Sequence, residues 1–160
     1  MSALVDELLA AMETSFRAGR SWHLSLLASV DGVSADQAAW SPAHDRNSIW
    51  KIVEHVSLWK EDVTNRLAGR PRRPESVDAG DWAPPPAPTE ERWRAALRRL
   101  ADAHAALAQE LRRHTDAGLR DPAPGYDRPL IADVRGVIAH DSYHAGQICY
   151  VRALQGIPAR

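Results

Sequence analysis

The chain has 160 residues, of which 44% are hydrophobic and 26% charged, and its formal net charge is −1. This length and composition predict one soluble domain over residues 1–160, long enough to bury a core of its own. Because lysine and arginine are spread along the chain, we expect no nucleic-acid-binding surface.

Cysteine content and the N-terminal segment bear on the cellular location. Cys149 is the only cysteine, so no disulfide can form within the chain, and a reducing cytoplasm is the expected location. The first residues, MSALVDELLAAMETSF, are acidic in their first turns and have no basic segment followed by an apolar run. We therefore expect no signal peptide, and no stretch has the length and hydropathy needed to cross a membrane.

The first segment has the apolar spacing of an amphipathic helix. Apolar residues recur at gaps of three and four from Ser2 to about Val30, which predicts one long helix. Residues 31–47, DGVSADQAAWSPAHDRN, interrupt this pattern with Gly32 and Pro42. They are predicted to form a loop.

A second helix and a proline-rich connection follow. The helix is predicted to begin near Asn47, a suitable N-cap, and to end at Gly69. Residues 70–88, RPRRPESVDAGDWAPPPAP, contain six prolines, which exclude a regular element. This connection is much longer than two neighbouring antiparallel helices need.

Two more helices complete the predicted fold. Thr89 followed by two glutamates predicts the N-terminus of the third helix. After a loop over residues 116–129, the fourth is predicted from about Leu130 to Gln155. No segment alternates with a period of two residues, so the predicted class is all-α. Four such helices predict a four-helix bundle, with a long crossover between helices 2 and 3 that favours up-down-down-up topology.

Three histidines fall on the inner edges of two predicted helices. His140 and His144 are one turn apart on the fourth helix, so their side chains project to the same side. His55 lies at the edge of the apolar stripe of the second helix. Helical bundles build their metal sites from side chains on facing helices, and three protein ligands leave coordination positions open.

The residues alone leave a second interpretation open. A single histidine beside an apolar stripe is usually a hydrogen-bonded core residue, and a His-x-x-x-His pair can arise by chance. Three such side chains would be costly to bury together without a shared partner. A metal ion would be such a partner.

Two stretches resemble the DinB-like (DinB/YfiT) family. DQAAWSPAHDRNSIWKIVEHVSLWKEDVTNRLAG (36–69) is similar to the family's second-helix region, where Trp-x-Pro precedes a helix that carries a buried histidine. HDSYHAGQICYVRALQGIP (140–158) resembles its last helix, in which His-x-x-x-His is followed by Gly-Gln-Ile. With the proline-rich crossover, the resemblance covers nearly the whole chain.

The resemblance implies a metal site and a chemistry. It implies that His55, His140 and His144 are the three metal ligands. Members of the family are four-helix bundles, often homodimers, that hold nickel, zinc or a similar divalent ion. Characterised members use the metal with low-molecular-weight thiols, among them isomerases and S-transferases.

Three functional hypotheses follow from this site. The first is a metal-dependent enzyme that acts on a small-molecule substrate with a low-molecular-weight thiol, of the S-transferase or isomerase type. A thiol suits the site because coordination deprotonates it near neutral pH. The second is a non-catalytic dimeric scaffold with a structural metal, and the third is a metal–water hydrolase.

Other polar residues near the predicted helix faces carry weaker expectations. His23 is placed on the apolar face of the first helix, where core or edge packing is favoured over a role as a fourth ligand. His104 is placed in the apolar stripe of the third helix. Asp141 is expected to be a helix-surface acid or a partner that orients an imidazole.

Four small or aromatic residues are given packing roles. Gly146 is expected to allow close helix packing, and Trp59 and Tyr143 to be wall or core residues. Cys149 is expected to be a small buried hydrophobe rather than a nucleophile or a ligand.

Overall fold

The computed structural model describes residues 2–17, 22–70, 82 and 87–158. Within these residues the chain forms helices and no β-strand, which confirms the all-α prediction. None of the described helices is long and apolar enough to span a membrane. The elements in chain order are α1 (Ala3–Phe16), α2 (Leu26–Val30), α3 (Ala35–Ala39), α4 (Ile49–Leu67), α5 (Glu90–Leu111), a 3-10 turn (Gly118–Arg120) and α6 (Leu130–Leu154).

The prediction of one helix from Ser2 to Val30 is wrong, because α1 ends at Phe16. A separate helix, α2, begins after Ser25, whose side chain accepts a hydrogen bond from the amide of Ala28. Serine at this position satisfies an amide that has no partner within the helix, so it starts a new helix. Residues 18–21 of the predicted helix lie outside the described residues.

The predicted loop over residues 31–47 contains the short helix α3. Its N-terminus is a capping box: the Ser34 hydroxyl accepts from the Gln37 amide, and the Gln37 side chain accepts from the Ser34 amide. The N-cap of α4 is Ser48, one residue after the predicted Asn47, and its side chain accepts from the Lys51 amide. These caps fix where the chain turns into α4, the helix that carries His55.

The predicted N-termini of the last two helices are confirmed. Thr89 caps α5 by accepting a hydrogen bond from the Arg92 amide. The helix α6 begins after Pro129, and Gly156 follows its end with a φ of 71°, which favours glycine. Most of the predicted crossover, residues 71–81 and 83–86, lies outside the described residues.

A buried polar layer separates two apolar parts of the core. One apolar cluster surrounds Trp50 and Trp93, whose ring centroids are 5.2 Å apart, and the other surrounds Leu107 and Val134. The polar side chains at the level between them come from α1, α4, α5 and α6: Ser15, Lys60, His104, Asp141 and His144. Since buried polar groups require partners, this layer is where specific interactions between helices are made.

Candidate metal centre

The helices α4 and α6 bring the three predicted histidines together. The Nε2 atom of His140 lies 2.9 Å from Nε2 of His55 and 2.9 Å from Nε2 of His144. His140 and His144 are one turn apart and therefore share a face of α6, while His55 meets them from α4. Each residue offers one ring nitrogen to a group in which all three atoms lie within 4.8 Å of one another.

A hydrogen bond from His144 to Gln147 determines which nitrogen of His144 points into the cluster as an acceptor. Nδ1 of His144 is 2.7 Å from Oε1 of Gln147, and Nε2 of Gln147 donates to the hydroxyl of Tyr143 over 2.9 Å. An amide oxygen can only accept, so Nδ1 carries the proton. In the neutral ring, Nε2 of His144 then presents its lone pair to the cluster.

One proton on Nε2 of His140 cannot make full hydrogen bonds to both neighbouring imidazoles, whereas a bound cation could contact all three rings. Nε2 of His140 can carry one proton, yet it has imidazole nitrogens at 2.9 Å on two sides. Burial, together with the neighbouring His144, His55 and Lys60, lowers the pKa of His140 to about 3. The ring is therefore neutral near pH 7, with a lone pair that a metal ion can accept.

The spacing of the ring nitrogens fits a divalent ion. Two imidazole nitrogens that each lie about 2.0–2.1 Å from one ion are roughly 2.9 Å apart at a right angle and roughly 3.3 Å apart at the tetrahedral angle. The two Nε2–Nε2 separations of 2.9 Å are close to this range. Neutral imidazole is a suitable ligand for zinc, nickel, copper and iron. The three residues present could thus hold such an ion.

Aromatic side chains enclose the cluster. The ring of Trp82 is stacked on His55 at a centroid distance of 3.9 Å and an interplanar angle of 14°, and it lies 6.0 Å from the ring of His144. The indole of Trp59 stands edge-on to His55 at 6.2 Å. Trp59 is therefore a wall residue, as expected, whereas Tyr143 is 62% exposed and forms no part of the core.

A cavity of about 340 Å³ opens beside the cluster. His55 and His140 line it together with apolar side chains of α4 and α6. Toward the N-terminus of α6 the cavity is bordered by charged residues. There Asp133 accepts a hydrogen bond from Arg66 and forms ion pairs with Arg66 and Arg128. The full lining is His55, Trp59, Val63, Arg66, Arg128, Ala132, Asp133, Gly136, Val137 and His140.

His23 is not on a helix face, contrary to the prediction. It is exposed between α1 and α2, with Nδ1 3.0 Å from the carbonyl of Leu24 and Nε2 3.0 Å from the hydroxyl of Ser142. The cause is the end of α1 at Phe16, which breaks the helical phase on which the prediction depended. It is absent from the group of nitrogens that could hold a metal.

The prediction for Asp141 is also wrong, since the side chain is buried and contacts a lysine. Oδ2 of Asp141 lies 2.7 Å from Nζ of Lys60, and both side chains are 1% exposed. Burial raises the pKa of Asp141, while the charge of Lys60 and its hydrogen bond act in the opposite direction. The carboxylate holds α6 to α4 rather than orienting an imidazole.

His104 is a core residue, as predicted, and belongs to the polar layer. Its ring is stacked on Phe16 at 3.8 Å, Nε2 is 3.2 Å from Oε1 of Glu13, and Nδ1 is 3.4 Å from Nζ of Lys60. Burial and the charge of Lys60 lower its pKa to about 4, although Glu13 acts in the opposite direction. His104 therefore remains neutral near pH 7.

Two packing predictions on α6 turn out differently. Gly146 is exposed, and no atom lies within 4 Å of a Cβ placed there, so close packing does not explain this glycine. Cys149 is only partly buried, and burial raises the pKa of its thiol. It is outside the group that could hold a metal.

Sequence reasoning missed several residues around the site. Lys60, Gln147 and the network of Arg66, Arg128 and Asp133 were not singled out. Gln147 and Asp133 are the two with a signal in the sequence, because their spacing from the two histidines of α6 places them on the same side of the helix.

Three convergent histidines on two facing helices are an arrangement that could hold a metal ion. Comparison with known proteins defines the family. The model of the DinB superfamily matches residues 20–148, so the chain belongs to the DinB superfamily. This confirms the resemblance drawn from its two motifs. No curated protein matches the sequence.

Proposed function

We propose that this protein binds one divalent metal ion through His55, His140 and His144, and that it uses the ion in an enzymatic reaction with a low-molecular-weight thiol. The observation that carries the proposal is the placement of His140 Nε2 at 2.9 Å from the corresponding atoms of both other histidines. Membership of the DinB superfamily, which is typically metal-binding, supports the same conclusion.

The chain's own residues suit a site that admits an external ligand. Three protein ligands leave coordination positions open, which is typical of catalytic rather than structural sites. A divalent ion of nickel or zinc bound there would lower the pKa of a coordinated thiol and hold it as a nucleophile. The chain adds no thiolate of its own, because Cys149 is outside the cluster. The Trp59 and Trp82 rings limit the access of water to His55.

The proposed reaction class is transfer or isomerisation through sulfur. The thiol sulfur attacks an electrophilic carbon of the substrate, the new C–S bond replaces the bond to the leaving group, and the thiol proton passes to solvent. In an isomerisation no group leaves: the thiolate adds to one carbon of a C=C bond, the resulting single bond rotates, and the thiolate is expelled as the C=C bond forms again. The cavity beside His55 and His140 is the place where the electrophile would meet the thiol.

An activity assay with removal and return of metal tests this proposal. The metal-free protein, and the same protein reloaded with nickel or zinc, are incubated with a chromogenic aryl chloride and a panel of small thiols. We expect thiol-dependent release of chloride with the reloaded protein only. Turnover of an ester without thiol would favour the hydrolase, and loss of helicity without any turnover would favour the structural-metal scaffold.

We also propose up-down-down-up topology for the four long helices. The pairs Trp50–Trp93 and Lys60–His104 rise together in residue number, which supports parallel α4 and α5. His55–His140 and Arg66–Asp133 run in opposite order, which supports antiparallel α4 and α6.

We further propose that the protein is a homodimer. The outer face of α6 carries three exposed apolar or aromatic side chains, Tyr143, Tyr150 and Leu154, which are 62%, 67% and 48% exposed. Their spacing of seven and four residues places them on one side of the helix. Large exposed apolar side chains grouped in this way are typical of protein–protein contacts.

A further inference from the structure

We propose that the cavity beside His55 and His140 selects thiols that carry an anionic group at a distance from the sulfur. This inference rests on the proposed function, since it assumes that the sulfur binds at the three histidines. It assigns a substrate class to a cavity of about 340 Å³ whose far border is charged.

The most exposed side chain at the charged border of the cavity is a cation. Asp133 pairs with both Arg66 and Arg128. Arg66 also pairs with Asp62, so two carboxylates balance two guanidinium groups at this border. The side chain of Asp133 is 1% exposed and that of Arg66 is 7% exposed, whereas that of Arg128 is 55% exposed. A ligand that enters therefore meets Arg128, whose remaining N–H groups can bind a carboxylate.

Arg66 is held in place by several further contacts. It is also paired with Asp62, and its guanidinium lies 5.9 Å from the centre of the Trp59 ring and 4.5 Å from that of Tyr126. Its position is thus fixed between a carboxylate and two aromatic rings. This anchoring holds Asp133, and Asp133 in turn holds Arg128 at the mouth of the cavity.

The walls between the two ends of the cavity are mainly apolar. Trp59, Val63 and Val137 line it, and a glycine and an alanine of α6 keep it open. Asp133 and His140 are seven residues apart on α6, which corresponds to roughly 10 Å along the helix axis. The matching ligand has a thiol at one end, an apolar chain of several carbons, and a carboxylate at the other end.

A pair of thiols that differ in charge alone tests the inference. The protein is loaded with cobalt, and 6-mercaptohexanoate and 6-mercaptohexan-1-ol are titrated while the sulfur-to-cobalt charge-transfer band is recorded. We expect the anionic thiol to bind roughly twofold to fivefold more tightly, the range expected for a partly exposed arginine–carboxylate pair. We expect Arg128→Gln to abolish this preference and Arg128→Lys to retain most of it.

The matched control is Arg135→Gln. Arg135, which lies on α6, is exposed like Arg128 but lines a different cavity, so its loss changes the net charge equally and should leave the preference intact. Equal affinities of the two thiols for the unmodified protein would overturn the inference, as would an equal loss of preference in both glutamine variants. Absence of the band with either thiol would overturn the proposed function itself, and the inference with it.

Discussion

Nδ1 of His144 lies 2.7 Å from Oε1 of Gln147, and this contact fixes the proton of the imidazole on the side away from the histidine cluster. Gln147 is itself positioned by the hydroxyl of Tyr143, to which its amide donates. Gln147, on the next turn of the helix, thus leaves the lone pair of Nε2 of His144 directed toward the other two histidines, where a metal ion could accept it.

Replacing Gln147 should weaken metal binding without unfolding the protein. In Gln147→Leu the proton of His144 can move to Nε2, so we expect the affinity for zinc to fall roughly 10- to 100-fold. Gln147→Glu keeps an acceptor oxygen and should retain the affinity. Competition with a chelator measures both, and nitrogen NMR of the metal-free variants reports the tautomer of His144. An unchanged tautomer and affinity in Gln147→Leu would refute the role of Gln147.

Removing one partner of the buried Lys60–Asp141 pair should lower the free energy of unfolding more than removing both partners. Lys60→Met leaves the carboxylate of Asp141 buried beside a methyl group, so we expect the free energy of unfolding to fall by about 3–5 kcal/mol. In the double variant Lys60→Met/Asp141→Leu most of this loss should be recovered. Denaturant unfolding of the unmodified protein, Lys60→Met and the double variant checks the prediction, which a double variant no more stable than Lys60→Met would contradict.

His104 should make the protein less stable in mild acid. Its pKa is about 4 in the folded protein, below the ordinary value of 6.5, because it is buried and faces Lys60 and Arg17, with Glu13 acting in the opposite direction. The unfolded chain therefore binds a proton on this residue first as the pH falls from 6.5 to 4, which favours unfolding.

The His104→Gln variant isolates this contribution. Between pH 7 and pH 4.5 it should lose about 2 kcal/mol less of its free energy of unfolding than the unmodified protein does. The exposed His44 provides the control, since His44→Gln should follow the unmodified protein. If His104→Gln and His44→Gln showed the same dependence on pH, the low pKa of His104 would be disproved.

Dimer formation should depend on the outer face of α6. Tyr150→Glu introduces a charge among exposed apolar side chains, and we expect it to give a monomer at micromolar concentration. Ala106→Glu, on an exposed position of α5, should leave the mass unchanged. Light scattering coupled to size exclusion measures both, and a monomeric unmodified protein would rule out the proposal.

The sequence predicted the helices whose ends carry strong local signals. Thr89 and Pro129 mark the starts of α5 and α6, and both predictions hold. The capping box at Ser34 is present in the sequence, but Gly32 and Pro42 on either side of it favoured the prediction of a loop. The first helix was overextended because its apolar spacing continues in phase beyond Phe16.

The three histidines of the candidate site were predictable because they lie on or beside the apolar faces of two helices. The spacing of His140 and His144 is local, and their encounter with His55 followed from the apolar stripes of two helices. Contacts such as Lys60–Asp141 and Arg66–Asp133 join residues 81 and 67 positions apart. Which charged side chains face each other across a bundle depends on the rotation of the packed helices, and a single sequence does not contain that information.

The central claim is that His55, His140 and His144 hold one divalent ion per chain. Metal analysis of protein purified without a histidine tag tests it most directly, with His140→Ala as the variant and His44→Ala as the control for losing an exposed histidine. We predict about one nickel or zinc ion per chain in the unmodified protein and in His44→Ala, and almost none in His140→Ala. Full metal content in His140→Ala, or no metal in the unmodified protein even after incubation with nickel or zinc, would contradict the account.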